Sequence, residues 1–168
     1  MFKNRNITNL VDYVFGVEVG LDTNARKNRV GTNMEKAVSS IFDKAGVCYE
    51  TQVNVSAFPD IKSFGNDKKV FDFVIKTMQK TYLVETNYYN TGGSKLNEVA
   101  RSYSDVALKI NRYDNYEFVW ITDGQAWLSA KNKLQETFSA IPGLYNLSSM
   151  HLFVAKLKTE GILQKWKQ

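Results

Sequence analysis

Cysteine and histidine occur once each in these 168 residues, as Cys48 and His151, and their scarcity removes whole classes of chemistry. A lone cysteine has no partner for an intramolecular disulfide and suits a reducing compartment. Lying in GVCYETQV, it reads as a core residue and not as a nucleophile. One histidine and one cysteine leave almost no material for a zinc site or a histidine-dependent triad. No apolar run approaches the roughly 18 residues of a membrane span, and the N-terminus carries no signal-peptide pattern. No repeat, low-complexity segment or interdomain linker is visible. A soluble, unexported, cytoplasmic protein is therefore expected, with residues 1–168 forming a single domain. Acidic residues are also outnumbered, 17 Asp and Glu against 22 Lys and Arg, for a net charge of +5. A charged face is the plainest explanation of that excess, and it favours a polyanionic partner.

What the sequence does contain is a concentrated stretch from Lys69 to Asn87, KVFDFVIKTMQKTYLVETN. The runs VFDFVIK and TYLVETN are rich in β-branched and aromatic residues around a polar MQK break, the pattern of a hairpin. Pairing symmetric about Met78 and Gln79 sets Asp72 directly opposite Glu85. Like charges so placed are destabilising, because opposed Cβ atoms lie about 4.5–5.5 Å apart. A divalent metal would convert that repulsion into coordination, since Mg²⁺ is commonly held by one or two carboxylates with water and phosphate completing its shell. Asn87, two residues beyond Glu85, points to the same face. Two blander readings stand beside the metal site: one carboxylate at a solvated edge, or a bulged turn that shifts the register.

The rest of the chain supports this hairpin. Leu10, Val11, Val14 and Phe15 predict a short helix over residues 8–15, and LDTNARKNRVG reads as a basic loop. Its Arg26, Lys27 and Arg29 are either solvated surface or phosphate contacts. Thr32 to Gly46 is predicted as a helix, with Thr32 and Glu35 forming a capping box, Gly46 at the C-terminal cap, and Met34, Val38, Ile41 and Ala45 on the buried stripe. Capping explains Glu35, and a further role near a metal stays open. A strand is expected over residues 47–57, then a turn-rich connection in which Pro59-Asp60 is read as a turn.

Beyond the hairpin, Gly92 and Gly93 free the backbone and Ser94 is placed to cap a helix carrying Leu96, Val99, Ala100, Tyr103, Ala107 and Ile110 at helical spacing. A glycine-rich entry to a helix N-terminus suits an anion. Lys95 opposes the helix dipole there, which favours a functional lysine over an idle surface one. YEFVWIT at 116–122 fits an inner strand covered on both faces, and Asp123-Gly124 a turn. Residues 125–140 read as a helix burying Trp127, Leu128, Leu134 and Phe138, broken at Ile141-Pro142-Gly143. A last helix runs from Ser149 through Lys158. The class is α/β, a mixed central sheet between helices.

An Asp on the second strand, a Glu opening E-x-N on the third and a Glu on the first helix together resemble the PD-(D/E)xK nuclease core. The blocks VGLDTNARKNRVGTNMEK, FDFVI, VETNYYNTGGSKLNEVARSY and FVWITDGQAW, spanning Val17 to Trp127, narrow this to a resemblance to the DpnII/MboI family of type II restriction endonucleases. That resemblance implies a magnesium-dependent enzyme cutting both strands of double-stranded DNA at GATC, a homodimer matching the two-fold palindrome, and a cognate DNA methyltransferase in a restriction-modification system. It implies Asp72 and Glu85 as metal ligands with the Thr86 carbonyl as a third, and Glu35 as an accessory acid. The superfamily's lysine position holds Asn87, so either Asn87 or Lys95 would orient the attacking water. DNA contacts would come from Arg26, Lys27, Arg29, Lys95 and Arg101, from Gly92, Gly93 and Ser94 at the phosphate, and from Asn24, Asn90 or Asn97 at the bases. Family members are longer, and the chain corresponds in this reading to their catalytic C-terminal part. Rival readings are a repair or junction nuclease on the same core, and an inactive DNA-binding remnant.

Overall fold

The computed structural model describes residues 34–90 and 93–164. The predicted helix at residues 8–15, the capping Thr32, and Asn24, Arg26, Lys27, Arg29 and Gly92 lie outside them. Helix α1 covers Met34–Ala45, followed by β1 (Glu50–Asn54), β2 (Val70–Lys76), β3 (Thr81–Tyr88), α2 (Ser94–Asn111), β4 (Tyr116–Asp123), α3 (Lys131–Ala140), β5 (Gly143–Tyr145) and α4 (Met150–Glu160). The five strands form one sheet in sequence order. β1, β2 and β3 pair antiparallel, while β3, β4 and β5 pair parallel. The mixed α/β sheet expected from the pattern is the observed one.

Two cores sandwich the sheet. On one face Phe73, Ile75, Tyr82 and Val84 pack with Val38 and Phe42 of α1 and Phe153 of α4. On the other, Leu83, Phe118 and Trp120 pack with Ala100 and Ile110 of α2 and Leu134 of α3. β4 is buried from Phe118 to Asp123 because both faces are covered, which is why its sequence is apolar without alternation.

Helix α1 ends in a Schellman motif, with Gly46 at φ 70 donating to Asp43 O and Val47 donating to Phe42 O. Its stripe includes Phe42, fully buried, beside the expected Met34 and Val38. The hairpin turns where symmetry requires, since Thr77 N–H donates to Lys80 O across Met78 and Gln79.

Some expectations are corrected. The strand predicted over 47–57 is confined to Glu50–Asn54, because the Asn54 side chain accepts from Ser56 N–H and starts a 3₁₀ turn at Val55–Ala57. Cys48 is only partly buried. Ser94 does not cap α2; Gly93 holds the cap position at φ 137, with no side-chain capping bond. The 125–140 segment divides into a 3₁₀ stretch, Gln125–Ala130, and α3. That change of pitch turns Leu128 outward, 52% exposed, while Trp127 stays buried. The turn between β4 and this stretch needs glycine, since a Cβ on Gly124 would lie 2.0 Å from Tyr89 O.

Candidate active site

The sheet forks at Asp72. β2 and β3 keep the symmetric register from Lys76↔Thr81 to Phe73↔Val84 and then part. Continued pairing would set Phe71 opposite Thr86, but Thr86 donates its N–H to Asp72 Oδ2 at 2.8 Å and its hydroxyl to the same oxygen at 3.0 Å. A carboxylate therefore takes the bond that the ladder would have made. The expected Asp72–Glu85 pair is not formed: the ladder stops one pair short of it, and Asp72 turns toward Thr86.

A phase reversal in the neighbouring strand accompanies the fork. Side chains of a strand alternate between faces, yet Phe71 lies in the α2-side core and Phe73 in the α1-side core. The same reversal runs through β1, with Tyr49, just before the strand, packed on the α1 side and Val53 on the α2 side. Gln52 at its centre has φ 53, a left-handed conformation that is rare for a residue with a Cβ. Pairs Thr51↔Phe73 and Val53↔Phe71 flank it, so Gln52 lies across from Asp72. Gln52 Nε2 donates to Glu35 Oε2 at 3.1 Å and, more weakly, to Asp72 Oδ1 at 3.4 Å. The reversal thus ties the acid of α1 to the acid of β2.

Glu85 enters the fork from the α2 side. Its residue is 6% exposed. Tyr103 of α2 donates to Oε2 at 2.9 Å. The Lys69 ammonium lies 2.7 Å from the buried Oε1, so a cation on the chain before β2 pairs with this carboxylate across the fork. Burial pushes the Glu85 carboxyl up from its ordinary pKa; the Lys69 ammonium opposes this, and the nearby Asp72 charge adds to it. The Tyr103 hydroxyl is raised too, by burial first and by the Glu85 charge second.

The fork suits a hard divalent cation. Its candidate ligands are oxygens, from the Asp72 and Glu85 carboxylates and the Thr86 carbonyl, and the Lys69 ammonium beside Glu85 marks where a cation is already favoured. Thr86 N–H points into the gap, and the N–H and C=O of a paired strand residue leave the same edge. Among the described residues no three His, Cys, Asp or Glu side chains cluster tightly enough to hold a metal by themselves. Water and a phosphate oxygen would complete the shell, as is usual for Mg²⁺.

The other residues singled out from the sequence are dispersed around this centre. Asn87 is committed to structure: Oδ1 accepts from Trp120 Nε1 at 2.6 Å, and Nδ2 reaches Tyr103 Oη at 3.4 Å. Lys95, Asn97 and Arg101 lie exposed on α2, and Asn90, Gly93 and Ser94 lie exposed near its start. A cavity of about 480 Å³ beside them is lined by Gly93, Asn97, Lys131, Asn132 and Lys133. Asp60 of the Pro59-Asp60 turn stays away from the fork, accepting from Tyr116 Oη at 2.7 Å. Sequence reasoning missed Lys69 and Gln52. Lys69 stands inside the hairpin stretch, and its charge next to two acids was the available signal; nothing local marks Gln52.

A mixed sheet between helices, opening at an acidic pair on its second and third strands, is the restriction-endonuclease-like core of PD-(D/E)xK nucleases. The chain belongs to the DpnII restriction endonuclease family, whose model matches residues 1–156. It is similar to the type II restriction enzyme MboI of Moraxella bovis, 63% identical over 166 residues, covering 99% of this chain and 59% of that protein. Similarity extends to the type II restriction enzyme DpnII of Streptococcus pneumoniae, 44% identical over 171 residues, with 94% and 59% covered. The type II restriction enzyme MjaIII of Methanocaldococcus jannaschii is 39% identical over 179 residues, with 98% and 58% covered. The chain therefore spans about three-fifths of the length of these relatives. No solved structure matches it.

Proposed function

We propose that this chain is the catalytic part of a magnesium-dependent type II restriction endonuclease that hydrolyses both strands of double-stranded DNA at GATC. A homodimer would match the palindrome, and a cognate DNA methyltransferase would protect the host's own sites. The observation that carries the reading is the fork itself, where Asp72 replaces a ladder bond and the buried Glu85 carboxylate draws a cation to it. Membership of the family supplies the class of reaction.

Asp72 and Glu85 would hold the ion with the Thr86 carbonyl, and Glu35 would act through Gln52 as an accessory acid. Bound there, Mg²⁺ supplies charge for the phosphoryl oxygens and a nucleophilic water near neutral pH. The chain's own residues fix the geometry. Thr86 locks one Asp72 oxygen with two hydrogen bonds, and Tyr103 holds the outer Glu85 oxygen. Two groups on separate strands are thereby held without waiting for substrate, the preorganisation that such chemistry requires. Exposed Lys95 and Arg101 on α2 and Lys131 beside the cavity would offer cationic groups to the DNA backbone.

The test is incubation of unmethylated plasmid with Mg²⁺, with fragment ends sequenced and an EDTA control. Discrete cuts at GATC that vanish in EDTA are expected. Salt-dependent DNA binding without scission would favour the non-catalytic reading, and cutting confined to nicked or branched DNA would favour a repair or junction nuclease.

A further inference from the structure

An acidic site that receives a phosphodiester needs a positive charge besides the metal, and the E-x-N strand does not supply one. Asn87 is neutral, and both polar atoms of its amide are already engaged with Trp120 and Tyr103. Lys95 is exposed in the first turn of α2 and forms no ion pair among the described residues. The charge in the fork belongs to Lys69, one residue before β2.

Four observations place it. The Lys69 ammonium is 2.7 Å from Glu85 Oε1. It lies 5.6 Å from the Phe71 ring centroid and 5.5 Å from that of Tyr103, so two π faces hold it. Tyr103 also joins it to the lysine-deficient position, since its hydroxyl contacts both Glu85 Oε2 and Asn87 Nδ2. The Lys69 backbone is pinned, its carbonyl accepting from Val55 N–H at 2.7 Å, while its side chain is still 24% exposed. An ammonium on a flexible stem carries three rotatable donors. It can turn from a carboxylate to a phosphate oxygen with no backbone movement.

We propose that Lys69 is the cation of this site: it neutralises Glu85 while the metal is absent, and faces the phosphodiester being cut once a divalent ion is held at Glu85. The second half rests on the proposed nuclease function; the first stands on the geometry alone. A lysine arriving from the start of β2 thus occupies the shell that a lysine at position 87 would have filled.

The experiment compares wild type, Lys69→Met and Lys69→Arg in two ways: thermal melts with and without Ca²⁺, and single-turnover cleavage of a GATC duplex in Mg²⁺. Without metal, Lys69→Met leaves Glu85 as an uncompensated buried charge and melts below wild type. Its Ca²⁺-induced rise in Tm is expected to be about twice the wild-type rise, because the ion then replaces the missing charge, while Lys69→Arg behaves as wild type. Cleavage by Lys69→Met should fall about 100-fold, the scale of losing one preorganised electrostatic contact. Should Lys69→Met fail to fold, the neutral pair Lys69→Met/Glu85→Gln should fold and melt near wild type, and a double variant that also fails to fold overturns the assignment. A Ca²⁺ rise equal to that of wild type, no rise in either protein, or a Lys69→Met rate within about threefold of wild type overturns it as well. Wild type that cuts no DNA contradicts the nuclease reading instead, and the melts still decide which group carries the charge at Glu85.

Discussion

Gln52 is the residue on which the acids of two elements depend, and nothing in its local sequence announces this. Its φ of 53 is costly for a side chain with a Cβ, on the order of 1–2 kcal/mol. That cost is borne where β1 reverses phase opposite Asp72. Two substitutions separate backbone from side chain. Gln52→Ala and Gln52→Gly both lose the bridge to Glu35 and Asp72, but only alanine keeps the strain. The glycine variant should be the more stable by about 1 kcal/mol in urea unfolding; equal stability, or a more stable alanine variant, would remove strain from the account. The hairpin register that brings Asp72 and Glu85 to one fork was legible, because symmetry about Met78 and Gln79 fixes it. The divergence of their carboxylates was not, since it arises when a side chain outcompetes a ladder bond. Lys69 carried a signal in its neighbouring acids, but its partner Glu85 lies on another strand.

Among the elements, α4 is held to the sheet by a partly buried polar cluster. Tyr82 of β3 donates to Glu160 at 2.7 Å, Thr77 donates to the same carboxylate at 3.0 Å, and Tyr145 of β5 stacks on Phe153 with centroids 5.1 Å apart. Burial and the Glu117 and Glu160 charges raise the Tyr145 hydroxyl from 10.0 to about 12. Burial and Glu160 raise Tyr82 further in the same direction. Raised phenols favour the neutral native state, so their contribution is fully present below the ordinary pKa and is lost as pH rises through the folded one. Thermal stability should therefore hold up to about pH 10 and fall steeply toward about 12. Tyr113, whose hydrogen bonds lower its pKa, should ionise early with the fold intact, while the last part of the phenolate absorbance, from Tyr82 and Tyr145, should appear together with the loss of helix signal. Complete phenolate titration while the fold persists would contradict this. Elements with long periodic patterns, such as α2 and β4, were legible in the sequence. β5 was not, because three residues after Pro142 carry too little pattern, and β1 was overextended because alternation from Val47 to Val55 continues in sequence across a reversal in space.

Across the whole molecule, two cores on opposite faces of one sheet hold the strands apart where they fork. Val38, Phe42 and Phe153 cover the sheet on one face, and Ala100, Ile110 and Leu134 on the other. The chain spans about three-fifths of its relatives' length and carries a net charge of +5, so the grip on DNA is measured separately from the chemistry. Asp72 in the fork is proposed to be required for metal-dependent hydrolysis. The direct test is the rate of Mg²⁺-dependent cleavage of a GATC duplex at saturating protein, wild type beside Asp72→Ala, with circular dichroism confirming that both are folded. Scission by wild type and none by Asp72→Ala is expected, with the folded spectrum retained. Near-equal rates would contradict it and place the chemistry elsewhere.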